Sequence, residues 1–131
     1  PSIYAITESW NGSSWTEVAD LGTARYYLAG GGTSTSGVAM GGYSTPPATR
    51  YANTETWDGS SWTETTDMNT ARRNNDANGS SSSSAIYAGG FATAGSALTE
   101  TWDGSTWTET ADLNTARYAV ATSGTTTSAL V

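Results

Sequence analysis

Trp57-Asp58-Gly59-Ser60-Ser61-Trp62-Thr63-Glu64-Thr65-Thr66-Asp67-Met68-Asn69-Thr70-Ala71-Arg72 is one of three near-identical phrases in a chain of 131 residues. Trp10 opens the first copy and Trp102 the third, so the copies stand 47 and 45 residues apart. A fixed period of that length marks a repeat architecture, in which each copy is one supersecondary unit that buries its apolar face against its neighbours.

Working outward from the phrase, each copy reads as short strands joined by turns. Leu98-Thr99-Glu100-Thr101-Trp102 alternates apolar and polar residues, the period of a half-buried strand. Asp103-Gly104 is a strong hairpin signal, and Trp107 to Thr110 returns as the next strand. Upstream, Ala85 to Ala88 reads as an apolar strand closed by Gly89-Gly90, with Ser80 to Ser84 as a flexible serine run before it. In the preceding copy the same reasoning gives a first strand over Arg25 to Ala29, a turn over Thr33 to Gly37 and a second strand over Val38 to Gly42. Asn53 to Trp57 and Trp62 to Thr65 follow as the third and fourth. No helical periodicity is present, and Thr, Gly and Ser suit strands and turns.

Composition limits the chemistry. The net charge is −7, from 12 acidic residues and 5 basic ones, all arginine. Nucleic acid and anionic membrane surfaces are therefore not expected as partners, because both need a basic footprint. There is no histidine and no cysteine, which removes imidazole bases, thiol nucleophiles, the usual zinc sites and disulfides. No metal or other cofactor is expected. About a third of the residues are Ser or Thr. That polar, uncharged composition favours an extracellular or virion-associated setting. Asn11-Gly12-Ser13 and Asn78-Gly79-Ser80 match the glycosylation acceptor pattern, which matters only in a secreted eukaryotic protein.

Read jointly, Gly41-Gly42, Trp57, Trp62 and Arg72 in one copy, and Gly89-Gly90, Trp102, Trp107 and Arg117 in the next, resemble the kelch repeat. The resemblance covers essentially the whole chain. It departs in placing Trp where most kelch repeats carry Tyr on the third strand, and the first copy lacks a Gly-Gly pair before Trp10. It implies an all-β fold, a β-propeller of four-stranded blades. The units run approximately over 1–24, 25–71, 72–116 and 117–131 within one domain, 1–131. The first unit holds a third and fourth strand, Ile6 to Trp10 and Trp15 to Val18. The last holds a first and second, Arg117 to Ser123 and Ser128 to Val131. Together they make one blade, so the chain carries about three. Propellers have about four to eight blades. The expectation is a homodimer closed into a six-bladed ring, each split blade completed in trans.

The repeated residues are read as structural. The pairs Trp10/Trp15, Trp57/Trp62 and Trp102/Trp107 are expected to pack between blades rather than to stack on sugars. Asn11, Asp58 and Asp103 are expected to cap their own turns rather than to bind calcium. Asp20, Asp67 and Asp112 each precede a repeat arginine (Arg25, Arg72, Arg117) by five residues, and an Asp–Arg bridge bracing the crossing loop is expected, with Glu17, Glu64 and Glu109 able to share it. Paired carboxylates could serve a glycosidase, but acids that recur in every copy argue against catalysis.

Positions that break the repeat are the candidates for recognition. The loop Tyr43 to Tyr51 is longer than its counterpart Phe91 to Ala97 and carries Tyr43, Arg50 and Tyr51. Phe91, Arg73, and by the resemblance Tyr27 and Asn74 at the channel mouth, complete the set. The expected function is a non-enzymatic module that binds a protein or glycan, as in a phage or surface adhesin. The alternatives are a purely structural, self-assembling repeat unit of a fibre or particle and, last, a glycoside hydrolase.

Overall fold

A computed structural model describes residues 2–73 and 78–131. The described residues form fourteen β-strands in several small antiparallel sheets and no helix. Two of the sheets are four-stranded meanders. The first runs β3 (Ala29–Thr33), β4 (Ser36–Met40), β7 (Thr54–Trp57), β8 (Trp62–Glu64). The second runs β9 (Asn78–Ser81), β10 (Ser84–Ala88), β11 (Thr99–Trp102), β12 (Trp107–Glu109). Two further sheets are two-stranded: β1 (Thr7–Trp10) with β2 (Trp15–Val18), and β13 (Ser123–Thr125) with β14 (Ser128–Leu130). A small hairpin, β5 (Tyr43–Ser44) with β6 (Thr49–Arg50), lies within the long loop between β4 and β7.

The third-to-fourth-strand hairpins follow from the repeated W-(D/N)-G phrase. Each places its two tryptophans opposite one another, Trp10 with Trp15, Trp57 with Trp62 and Trp102 with Trp107. The connecting four residues are held by the acid or amide that opens them. Asp58 Oδ1 accepts from the backbone N–H of Ser60 and Ser61, both at 2.8 Å, and Asp103 does the same for Ser105 and Thr106. Asn11 makes the equivalent bonds to Ser13 and Ser14 at 2.9 and 3.0 Å. The following glycines, Gly59 and Gly104, have φ of +98° and +97°, the left-handed region open to glycine. These donors favour the ionised carboxylate, and the backbone hydrogen bonds lower both aspartates to a pKa of about 2.

The first strands differ from the sequence expectation. They begin at Ala29 and Ser123, not at Arg25 and Arg117, and the serine run belongs to β9, its turn and β10 rather than to a flexible loop. The second strand of the first meander accordingly begins at Ser36 and ends at Met40. Ala29-Gly30-Gly31-Gly32-Thr33 has low strand propensity. It forms a strand by pairing with β4 along its whole length, and its glycines let β9 approach more closely than side chains would allow. A Cβ on Gly31 would lie 2.2 Å from the Gly79 backbone nitrogen. Glycine marks such close backbone approach within a sheet.

Successive units are joined by the residues that recur. Gly42 N–H donates to the Arg72 carbonyl at 2.9 Å, and Gly90 N–H to the Arg117 carbonyl at 3.0 Å. The core gathers Ala29, Val38, Met40, Met68, Ala85, Tyr87, Trp102 and Trp107. Trp107 Nε1 reaches across to Thr54 Oγ1 at 2.8 Å, and Trp62 Nε1 to Thr7 Oγ1 at 3.1 Å. Trp57 and Trp102 donate instead within their own sheets, to the turn carbonyls of Ser34 and Ser82, both at 2.9 Å. Trp10 and Trp15 stand apart from this pattern, 48% and 64% exposed.

The Asp–Arg bridges are not formed. Asp20, Asp67 and Asp112 are exposed, as are Glu17, Glu64 and Glu109. Arg25 pairs with Glu55 at 2.6 Å and Arg72 with Glu100 at 2.5 Å, all four side chains buried. Each of these arginines thus finds its acid in the third strand of its own unit, about thirty residues on. A fully buried guanidinium needs a partner that is itself inside, and the nearby aspartates stay in water. Glu55 and Glu100 are held further by the crossing loops, accepting from Gly22 N–H and Asn69 N–H, each at 2.7 Å. Arg72 also donates to the carbonyls of Gly89 and Leu98. Its guanidinium lies over the Tyr87 ring, 4.7 Å from the centroid.

Candidate functional site

The residues that follow the repeat arginines and those that follow the Gly-Gly pairs meet at one end of the sheets. Tyr26 and Tyr43 form a β-bridge, and Arg73 and Phe91 form its counterpart in the next unit. The backbone bonds of the first bridge, 2.9 and 2.8 Å, pin Tyr26 against Tyr43, and the rings meet edge to face at 5.5 Å. Tyr27 continues the cluster, its ring 4.8 Å from that of Tyr26. Tyr27 has φ of +56°, a region that costs a non-glycine residue roughly 1–2 kcal/mol. Ala119, two residues after Arg117 as Tyr27 is after Arg25, has the same φ, so the turn is a recurring feature of the unit.

Arg73 is the centre of the cluster. Its guanidinium carbon is 4.1 Å from the Tyr43 ring centroid, 5.1 Å from Phe91 and 5.9 Å from Tyr27. Arg50, presented by β6, lies 5.8 Å from the same Phe91 ring. Two guanidinium groups therefore share one aromatic face, each within the range of cation–π attraction. Tyr118 closes the other side, edge to face with Phe91 at 5.2 Å. Burial first, then the adjacent Tyr43 and Tyr27, push the Tyr26 hydroxyl above its ordinary pKa, with Arg73 acting in the opposite direction. It remains a neutral hydrogen-bonding group across the physiological range.

Of the seven candidate residues, Tyr27, Tyr43, Arg50, Arg73 and Phe91 come together here. Tyr51 does not join them; it is half-buried and its hydroxyl meets Ser44 Oγ at 2.9 Å. Asn74 lies outside the described residues. Tyr26 and Tyr118 belong to the cluster and are missing from the sequence-based set. The signal for both was present: each occupies the position of Arg73 in its own copy, directly after a repeat arginine.

Chemically, the cluster offers flat apolar faces, phenolic hydroxyls and two guanidinium forks. That set suits a planar anionic group, which guanidinium grips through paired hydrogen bonds. Among the described residues, no group of three or more acidic side chains converges as a metal site would require. A separate concavity, a cavity of about 420 Å3, lies between β1 and the face of β3 and β4. No protein-family model matches the chain, and no curated protein does.

Proposed function

We propose that the chain is part of a kelch-like β-propeller and works as a non-enzymatic binding module, recognising an anionic group on a glycan or protein. The observation that carries the reading is the grouping of Arg73, Arg50, Tyr43, Phe91 and Tyr27. In a chain of net charge −7, two of five arginines are neutralised by buried glutamates, while Arg50 and Arg73 gather over one phenylalanine. Positive charge is concentrated where the loops are longest and most aromatic. The propeller reading is supported by the two four-stranded meanders, which recur with the sequence period. The repeated acids serve turns and buried pairs, which favours scaffold over catalyst. An extracellular or virion-surface setting, as for a phage or cell-surface adhesin, suits this chemistry.

An array of neutral, carboxylated and sulfated glycans, extended to acidic peptides, tests the reading. Binding should be confined to anionic members. Hydrogen bonds to charged groups contribute about 1.5–3 kcal/mol. Arg73→Ala should therefore weaken binding about tenfold or more without lowering the melting temperature appreciably. Binding to neutral members alone, or binding indifferent to Arg73→Ala and Arg50→Ala, refutes the assignment. The two-stranded sheets favour a second reading, a self-assembling unit of a larger fibre or particle; filaments in electron micrographs together with a silent array would select it.

A further inference from the structure

The joints between consecutive units repeat residue for residue, and the chain's two outer units carry the unmatched halves of one more joint. Each internal joint has an Arg–Glu pair and an indole-to-threonine bond: Arg25–Glu55 and Trp62–Thr7 at one, Arg72–Glu100 and Trp107–Thr54 at the next. Each complete sheet also has its third-strand Trp bonded to the turn between its first two strands, at Ser34 and Ser82. The third repeat arginine, Arg117, pairs with no Asp or Glu side chain among the described residues, its guanidinium donating to the main-chain oxygens of Thr115 and Val131 at 3.3 and 3.5 Å, and Glu8, the counterpart of Glu55 and Glu100, is exposed. Trp15, the counterpart of Trp62 and Trp107, is 64% exposed, and Trp10 is 48% exposed. Thr99, the counterpart of Thr7 and Thr54, has a buried hydroxyl with no hydrogen-bond partner. A buried hydroxyl left unpaired is costly and rare.

These leftovers complement one another, but not within one chain. β1 pairs only with β2, and β14 only with β13, among the described residues. The cavity of about 420 Å3 lies along β1 (Thr7, Glu8, Ser9, Trp10), whose edge away from β2 is unpaired among the described residues, and against Gly30–Gly32 and Val38. That is where the sheet begun by β1 and β2 lacks its inner two strands.

We propose that a second copy of this chain fills that place: β13 and β14 of one copy dock beside β1 of the other, and the same exchange at the opposite end closes a two-fold ring. The joint then takes the form already seen twice. Arg117 meets Glu8 of the second copy, Trp15 Nε1 meets its Thr99 Oγ1, and Trp10 Nε1 meets the carbonyl of its Thr126, the counterpart of Ser34 and Ser82. The register follows from the intact sheets. Ala85, Ile86 and Tyr87 face Trp102, Thr101 and Glu100. By the same offset Ala129, Leu130 and Val131 face Trp10, Ser9 and Glu8 of the second copy. This inference rests on residues other than the arginine cluster and stands or falls apart from the ligand reading.

The chain contains no cysteine, so single thiols report contacts cleanly. Ser9→Cys and Leu130→Cys are made as two separate proteins, mixed, and treated with a short bifunctional thiol reagent. Covalent dimer is expected from the mixture and not from either protein alone. The unmodified chain should have twice the 13.5 kDa monomer mass by light scattering. Glu8→Gln, at a side chain exposed in the single chain, should leave each chain folded and weaken the dimer at least about 100-fold, as loss of one partner of a buried pair does. A monomeric mass overturns the proposal, and so do masses growing with concentration beyond two chains, the sign of an open filament. Linkage in the mixture no greater than in the single proteins also overturns it.

Discussion

Replacing Glu100 by glutamine tests whether the buried ion pair holds the fold. Three donors converge on the Glu100 carboxylate: Arg72 on Oε1, and Asn69 N–H and Asn69 Nδ2 on Oε2 at 2.7 and 2.9 Å. A glutamine of the same shape offers one oxygen and one NH2, so at least one donor must face another donor. It also leaves the fully buried Arg72 without its counter-charge. Removing one partner of a buried pair costs about 3–5 kcal/mol. At about 2 cal/mol/K of unfolding entropy per residue, a chain of this length should lose about 11–19 °C of melting temperature. The control is Glu64→Gln, an exposed position directly opposite Glu55, where a change within about 0.5 kcal/mol is expected. Both variants are compared with the parent by differential scanning calorimetry at one protein concentration. If Glu100→Gln melts within about 2 °C of Glu64→Gln, the buried pair is not a stabilising joint.

Two further outcomes follow from the turns and the inner strands. Asp58 and Asp103 have folded pKa values lowered from 3.8 to about 2, so their stabilisation is present above the unfolded value and is lost as pH falls through the folded one. Stability should therefore fall between about pH 4 and pH 2. The double variant Asp58→Asn, Asp103→Asn should flatten that limb in acid titrations followed by circular dichroism, while folding normally at neutral pH as the Asn11 turn does; an unchanged limb contradicts the capping role. Gly31→Ala would force backbone apart, since its Cβ would sit 2.2 Å from Gly79 N. Overpacking of this kind costs about 1–3 kcal/mol or more, visible as a lower urea midpoint. A midpoint equal to that of the parent would mean the two inner strands are not in contact.

The hairpins were legible in the sequence because their cause is local. A tryptophan, an Asp or Asn, and a glycine with positive φ dictate the turn, and the strands on both sides fall within a residue or two of where the phrase places them. The first strands were not legible, because a run such as Gly30-Gly31-Gly32 is a strand only through its pairing with β4, which its own residues do not announce. The same distinction explains the ion pairs. Asp67 lies five residues from Arg72 in sequence, and Glu100 lies 28 away, yet burial selects the distant acid. Most of the arginine cluster could be found as breaks in the repeat. Tyr26 and Tyr118 do not break the repeat; they are found by a different signal, their place directly after a repeat arginine, which they share with Arg73. Tyr51 looked like a loop aromatic available for recognition; its hydroxyl is engaged by Ser44.

Because Arg25 and Arg72 each pair with a glutamate of their own unit, while Trp62 and Trp107 bond to a threonine of the unit before, each unit carries its ion pair with it and meets its neighbour through indole and hydroxyl. A tandem duplication of residues 72–116 would deliver a new arginine and a new glutamate together, each already suited to the neighbours it meets. No second mutation is needed to make the added copy cohere. A gene with this grammar can lengthen or shorten by unequal crossing-over and still encode a chain whose joints match. That makes repeat number easy for selection to change, while the chemistry of any single joint stays fixed.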